Sequence, residues 1–246
     1  MNKKIIALLV LLASGSLSNA ANVGLLVVAT GRYIEFVDRL LDGADQYFCK
    51  GHNVTYFVFT DREIAPRPNL KVITQRRAGW PHDSLLRCRY YADHAKDFEG
   101  IDYLYACDAD MIMLAPVGNE IFGERVATLH HAYLGTKGTY ERSARSRACI
   151  YPHEGKAYYA GGFYGGSTKE FIKMSRTMIE RIQEDLSHGI IAVWHDESHL
   201  NRYFIDNPPT IELSPSYCYH QGSESKYPIF PQKIVAIGKD NAAYRQ

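Results

Sequence analysis

The sequence predicts an α/β fold. Three observations carry that expectation: continuous apolar runs of strand length, helical periodicity in the segments between them, and no internal repeat, low-complexity stretch or linker. Residues 23–29 form an unbroken apolar run rich in Val and Leu, as a strand covered on both faces requires. A turn at Thr30-Gly31 follows. From Tyr33 onward Ile34, Val37, Leu41, Ala44 and Phe48 recur at helical spacing, and Lys50-Gly51 is a helix stop. Residues 54–60 and 70–74 are expected to be the second and third strands. Residues 85–98 read as one helix whose polar face carries Arg89, Asp93, Lys96 and Asp97, and residues 101–107 as a fourth strand. Strands alternating with helices up to this point argue for a mostly parallel, Rossmann-like half with right-handed crossovers. The mixed half beyond it has strands expected over 125–130 and 159–165, a long amphipathic helix over 168–186 and a shorter helix over 195–204.

Composition limits what such a domain can do. With 246 residues and 46% hydrophobic content, the chain can bury a sizeable core. The 28 Lys and Arg nearly balance 27 Asp and Glu, and no like-charge run occurs, so a nucleic-acid surface has no electrostatic support. The 18 tyrosines suit walls that stack on flat or sugar-like ligands, although buried structural tyrosine is the commoner use. At the N-terminus, Lys3 and Lys4 precede an apolar stretch over 5–13, and Ser18-Asn19-Ala20 stands before Ala21. This reads as a signal peptide or a short uncleaved anchor over residues 1–21, with a single domain over 22–246, in an exported or membrane-associated protein. The five cysteines, Cys49, Cys88, Cys107, Cys149 and Cys218, have no CxxC spacing and an odd count, which indicates neither a zinc knuckle nor a disulfide framework. Cys107, inside an apolar run, is expected to be a packing residue.

Four segments carry chemistry. The fourth strand is expected to end in Asp108-Ala109-Asp110. On an extended segment both carboxylates point the same way, roughly 6.5 Å apart, and can share one hard cation such as Mg²⁺ or Mn²⁺ that bridges a diphosphate. An aspartate at a strand end can equally start a turn. Segment 158–166 sets glycine pairs among aromatic residues, so Gly161 and Gly162 either let a ligand approach the backbone or mark a sharp bend. Segment 193–201 reads Val-Trp-His-Asp-Glu-Ser-His-Leu-Asn. On a helix, His195 and His199 have the i, i+4 spacing of zinc ligands, but Asp196 stands where the metalloprotease motif needs Glu. Alternatively Glu197 is a carboxylate aimed at a sugar's anomeric carbon, where positive charge develops, while Asp196 and Ser198 cap the helix. In the tail, Lys239 and Arg245 can close over a diphosphate or form a solvated end.

In their order along the chain, the D-x-D, the Ala-Gly-Gly-Phe-Tyr-Gly-Gly run and the Trp-His-Asp-Glu-Ser-His-Leu-Asn run resemble glycosyltransferase family 6, the family of the histo-blood-group A and B transferases and the α-1,3-galactosyltransferases. The resemblance spans roughly residues 23–245 and implies a GT-A type single domain, with a Rossmann-like nucleotide-binding half and a mixed acceptor-binding half. It further implies a UDP-GalNAc or UDP-Gal donor, a galactoside glycan acceptor, fucosylated or not, and retention of the donor's α linkage in an α-1,3 product. Val28, Thr30 and Tyr33 match the uridine-binding stretch, with Tyr33 stacking on uracil. Arg87 falls near the donor sugar and the metal motif, and Asp108 and Asp110 would hold Mn²⁺, or Mg²⁺. His130, Thr139 and Trp194 fall on acceptor-side positions, together with Glu197, which matches the catalytic glutamate; Asp196 would contact the donor sugar. Lys239 and Arg245 match tail residues that order over UDP. Donor choice tracks the triplet Ala160-Gly161-Gly162, where glycine in third place leaves room for an N-acetyl group and favours UDP-GalNAc. His220 stands where the mammalian enzymes carry an acidic acceptor-binding residue. Such a chemistry would operate in a periplasm or a Golgi-type lumen. The rival expectations are a catalytically silent carbohydrate-binding protein of the same fold and a zinc hydrolase built on His195 and His199.

Overall fold

The computed structural model describes residues 20–223 and 225–245, so most of the expected leader lies outside the described residues. Among the described residues, no helix is long and apolar enough to cross a membrane. In chain order the elements are β1 (Asn22–Val28), α1 (Ile34–Tyr47), β2 (Asn53–Thr60), β3 (Leu70–Thr74), α2 (His82–Leu85), α3 (Arg87–Asp93), β4 (Tyr103–Cys107), β5 (Met111–Met113), β6 (Val126–Leu129), β7 (Tyr159–Ser167), α4 (Thr168–Ser187), α5 (His195–Asp206), β8 (Ile211–Leu213), β9 (Tyr219–His220), β10 (Ile234–Ala236) and α6 (Asn241–Tyr244).

A seven-stranded mixed sheet runs β3-β2-β1-β4-β7-β6-β8. β3, β2, β1 and β4 are mutually parallel, as the apolar runs predict, whereas β7 is antiparallel to both β4 and β6. The consecutive parallel strands therefore belong to the first half, while β6 with β8 and β9 with β10 form separate parallel pairs in the second. The continuous apolar runs arise because both faces are covered. Val23, Leu25 and Val27 join Val37, Leu40, Leu41 and Ala44 of α1 in one core, while Leu26, Phe57 and Phe59 join Cys88 and Tyr91 of α3 and Phe171, Met174 and Met178 of α4 in the other. α4 buries Phe171, Met174, Ser175, Met178 and Ile182, the i, i+3, i+4, i+7 stripe of an amphipathic helix.

Two expectations need correction. The single helix expected over 85–98 is interrupted: α2 and α3 meet at Leu86, which has φ −95° and ψ 4°, and the chain tightens into a 3₁₀ turn over Ala95–Phe98. The break brings Arg87 to the start of α3 as a buried residue. Asp108-Ala109-Asp110 is not extended either. β4 stops at Cys107, and Met111 N–H bonds back to Asp108 C=O at 3.3 Å in a tight turn, so the alternation of side chains along a strand does not apply. All five cysteines are buried and unpaired, Cys107 among them as its apolar run predicts.

Candidate active site

The strand order 3-2-1-4 reverses direction at β1, and a crevice opens where the carboxyl ends of β1 and β4 diverge. Val28, Thr30 and Tyr33 line it from the β1 side, Asp108 and Asp110 from the β4 side, and Lys239 and Arg245 from the tail. Thr60 Oγ1 donates to Ala29 C=O at 2.7 Å, and Asp61 Oδ1 accepts from Gly31 N–H at 2.7 Å, which fixes the turn after β1. The crevice continues through Ser84, Arg87, Asp108 and Asp110 into a cleft of about 430 Å³ that also holds His130, Ala160, Gly161, Gly162, Trp194, Asp196, Glu197 and His220. Of the site residues expected from sequence, only Thr139 stands outside this lining. It accepts the Trp194 indole N–H at 2.7 Å and so steadies a ring that is 46% exposed.

The 193–201 segment works residue by residue. Asn201 exchanges two bonds with the Tyr159 backbone, Oδ1 accepting from N–H at 2.9 Å and Nδ2 donating to C=O at 2.8 Å, so a side chain ties α5 to β7 as a strand neighbour would. One turn earlier, Glu197 Oε2 accepts from Gly161 N–H and Oε1 from Tyr158 O–H, both at 2.7 Å. Burial pushes the Glu197 carboxyl up to about 7, against the pull of those two donors. Asp196, expected as donor contact or cap, is buried with its Oδ2 2.6 Å from Arg87 Nε, and burial raises it to about 6. Ser198 does take a capping role, its Oγ accepting from Trp194 N–H at 3.0 Å. His195 opens α5 with φ 52°, a left-handed conformation unfavourable for a side chain bearing Cβ, and its ring packs edge-on to Trp80 at 5.2 Å.

The zinc expectation is not met. His199 is fully buried with Nε2 3.6 Å from Asp185 Oδ2, whereas His195 lies in the cleft beside Trp80. Among the described residues, no group of three or more His, Cys, Asp or Glu could hold a metal ion.

Charge in the cleft is paired across elements. Arg87 Nη1 bonds Asp108 Oδ1 at 2.7 Å and Gly161 C=O at 3.3 Å; burial alone would lower its pKa, but Asp196 and Asp108 outweigh it and hold the guanidinium well above its ordinary value. Lys239 bonds Asp110 Oδ2 and lies over the Tyr33 ring, 5.4 Å from its centroid. Burial and the neighbouring Asp108 charge raise the Asp110 pKa, and Lys239 offsets part of that. The tail is therefore docked, not a frayed end.

The glycine run divides in two. Gly165 and Gly166 serve packing: a Cβ would fall 2.2 Å from Leu104 C=O at the first and 2.0 Å from Glu124 C=O at the second, where φ is +146°. Gly161 and Gly162 face the site. A Cβ at Gly162 would meet Met111 Cε at 2.4 Å and Cys218 Sγ at 2.8 Å, so a group seated there requires the Met111 methyl to turn aside.

Sequence reasoning assigned no role to Tyr158, Trp80, Met111 or Asp83. Tyr158 opens the aromatic and glycine segment 158–166, which is the one signal that could have found it. Asp83 accepts from Ala78 and Gly79 N–H at 2.7 and 3.0 Å and so shapes the loop presenting Trp80.

Comparison with known proteins agrees with this arrangement. The chain matches the profile of Glycosyltransferase family 6 over residues 11–246. It is similar to histo-blood group ABO system transferase 1 of Rattus norvegicus, 37% identical over 239 residues, covering 91% of this chain and 68% of that protein. It is similar to globoside alpha-1,3-N-acetylgalactosaminyltransferase 1 of Homo sapiens, 34% identical over 236 residues (91% and 68%), and to human alpha-1,3-galactosyltransferase 2, 31% identical over 213 residues (80% and 62%). The chain belongs to glycosyltransferase family 6 and is a hexosyltransferase of that type.

Proposed function

We propose that this chain transfers GalNAc, in preference to Gal, from a UDP-sugar in α-1,3 linkage onto a galactoside, fucosylated or not, with retention of the donor's α configuration. The four parallel strands are then the Rossmann-like nucleotide-binding half of a GT-A type domain, acting in an exported or lumenal compartment. One observation carries the reading: the Glu197 carboxylate, held by Gly161 N–H and Tyr158 O–H, shares a cleft with Asp108, Asp110, Arg87, Lys239 and Arg245.

The roles follow from charge. Asp108 and Asp110 supply hard oxygen donors on the turn after β4, where they pair with Arg87 and Lys239, and donors of this kind would hold a Mn²⁺ or Mg²⁺ ion. Such an ion would supply Lewis-acid neutralisation of the diphosphate. Lys239 and Arg245 add positive charge where UDP departs, and Arg87 fixes Asp108 and Asp196 along the sugar's path. Glu197 is partly buried and its carboxylate is held by Gly161 N–H and Tyr158 O–H, so it is positioned to stabilise the positive charge that develops at the anomeric carbon. His130 and Trp194 form the acceptor side, with His220 beside His130 at 5.6 Å between ring centroids.

The test is UDP release from UDP-GalNAc and UDP-Gal, with Mn²⁺ or EDTA, across fucosylated and unfucosylated galactosides. Metal-dependent turnover faster with UDP-GalNAc is the expected result. Folded protein that binds glycans but releases no UDP from either donor would replace the transferase with a carbohydrate-binding protein.

A further inference from the structure

The tail cations reach the crevice because a seat on the opposite side of the molecule's sequence receives the tail. Its last helical residue, Tyr244, packs at a tilt of 34° against Phe36 at 4.9 Å between centroids and meets Tyr33 edge-on at 5.7 Å. The Tyr244 hydroxyl donates to Glu35 Oε2 at 3.0 Å. Arg32 lies over the other part of the seat, its guanidinium carbon 4.5 Å from the Tyr244 centroid, while its Nη1 donates to Ala243 C=O at 3.3 Å and its Nε pairs with Glu35 at 2.9 Å. One residue further, Arg245 covers the Trp80 ring at 4.8 Å. The chain between Lys239 and Arg245 thus crosses the crevice mouth and is fastened on both banks, by Tyr244 to the start of α1 and by Arg245 to the loop before α2.

We infer that Tyr244 is the positioning residue that seats the tail over the donor, with Arg32, Glu35 and Phe36 as its receptor. This deepens the proposed function and rests on it. Tyr244 lines neither part of the cleft, so it acts through Lys239, Arg245 and Tyr33, which do. An aromatic pair and one hydrogen bond are the interactions at stake, and their loss is worth on the order of 10-fold in an equilibrium that requires the seated tail. Donor affinity falls by that factor, acceptor affinity does not change, and water gains access to the bound donor sugar.

The experiment measures UDP dissociation constants, donor and acceptor KM, kcat and the ratio of donor hydrolysis to transfer for wild type, Tyr244→Ala, Tyr244→Phe, Glu35→Gln and the Tyr244→Phe/Glu35→Gln pair. Tyr244→Ala is expected to raise the UDP Kd and donor KM about 10-fold and the hydrolysis ratio several-fold, with acceptor KM and the unfolding midpoint of ligand-free protein unchanged. Tyr244→Phe keeps the ring and recovers most of the affinity. The effects of Tyr244→Phe and Glu35→Gln should be less than additive, since both remove the Tyr244–Glu35 bond and the second adds only the loss of the Arg32 pairing. Wild-type UDP affinity in Tyr244→Ala overturns the inference while leaving the transferase intact. Wild-type protein that does not bind UDP at all overturns the reading beneath it. An equal fall in donor and acceptor affinity, or a lowered unfolding midpoint with no rescue by Phe, assigns Tyr244 a general structural role and also overturns the inference.

Discussion

At Glu197 two demands meet: the carboxylate must face the developing positive charge, yet it sits where burial drives its pKa to about 7. Gly161 N–H and Tyr158 O–H answer this by favouring the ionised form, and they also fix where the carboxylate points. Replacing it by Gln keeps the shape and removes the charge. Glu197→Gln should therefore lower kcat by about 10²- to 10³-fold, the usual worth of one preorganised electrostatic partner, while the UDP dissociation constant stays within about 2-fold. Single-turnover kinetics with calorimetric UDP binding checks both numbers, and full activity in the variant would remove Glu197 from the reaction. Asp196, its neighbour, was legible as functional but not in its role. Sequence offered donor contact or helix cap, and the buried Arg87 beside it came from a helix that periodicity had drawn as continuous. Nothing in local spacing announces that Leu86 breaks that helix so that Arg87 can enter the site.

Elements decide how well such a residue is held. α5 would be a short helix packed on β7 and α4 by Leu200, Tyr203 and Phe204, free to slide along them, were it not for Asn201, which imitates a backbone and fixes the register against Tyr159. Asn201 is 1% exposed, so Asn201→Leu leaves the Tyr159 N–H and C=O without partners in the core. The cost is about 2–5 kcal/mol for two orphaned buried groups, and kcat should fall by more than donor KM rises because Glu197 shifts with the helix. Denaturant unfolding and steady-state kinetics together test this; unchanged stability would show that the tie carries no energy. The long elements were readable from sequence because both-sided burial writes unbroken apolar runs into β1, β2 and β4, and one-sided burial writes a stripe into α4. β5, β9 and β10 were not, since strands of two or three residues carry no period. Yet that small sheet brings Ile237 N–H to Asp110 C=O at 2.9 Å and so delivers Lys239 to the carboxylate turn. Asp108 and Asp110 both line the cleft, but a turn after β4, not an extended strand, places them there.

Across the whole molecule, buried titratable groups pull the pH dependence of stability in opposite directions. Glu197 and Asp196 have carboxyl pKa values raised by burial, to about 7 and about 6 from 4.5 and 3.8. A raised carboxyl makes the folded state bind protons more tightly, so its contribution is present below the unfolded value and is lost as pH rises through the folded one. His199 and His130 have values lowered by burial, to about 3 and about 4 from 6.5. These remain neutral in the fold, so below about 6.5 the unfolded chain takes up protons the fold refuses, and stability falls as pH drops. Between about pH 7 and 5 the gain from the two carboxyls offsets part of the loss from the imidazoles, to which His195 and His220, also lowered by burial, add. Below about pH 5 the carboxyls have little more to give, while the histidines continue to cost until their folded values are reached. Ligand-free protein should accordingly lose stability gradually from about pH 7 to 5 and more steeply at lower pH. Glu197→Gln removes one of the opposing carboxyls. Its denaturation midpoint should exceed that of wild type at pH 7 and above, then converge on it as the pH approaches 5, so that the variant declines more steeply than wild type below about pH 6.5. Urea midpoints for both proteins at half-unit steps from pH 4.5 to 8 decide the matter: parallel curves would mean that Glu197 titrates as an ordinary solvated carboxyl in the fold.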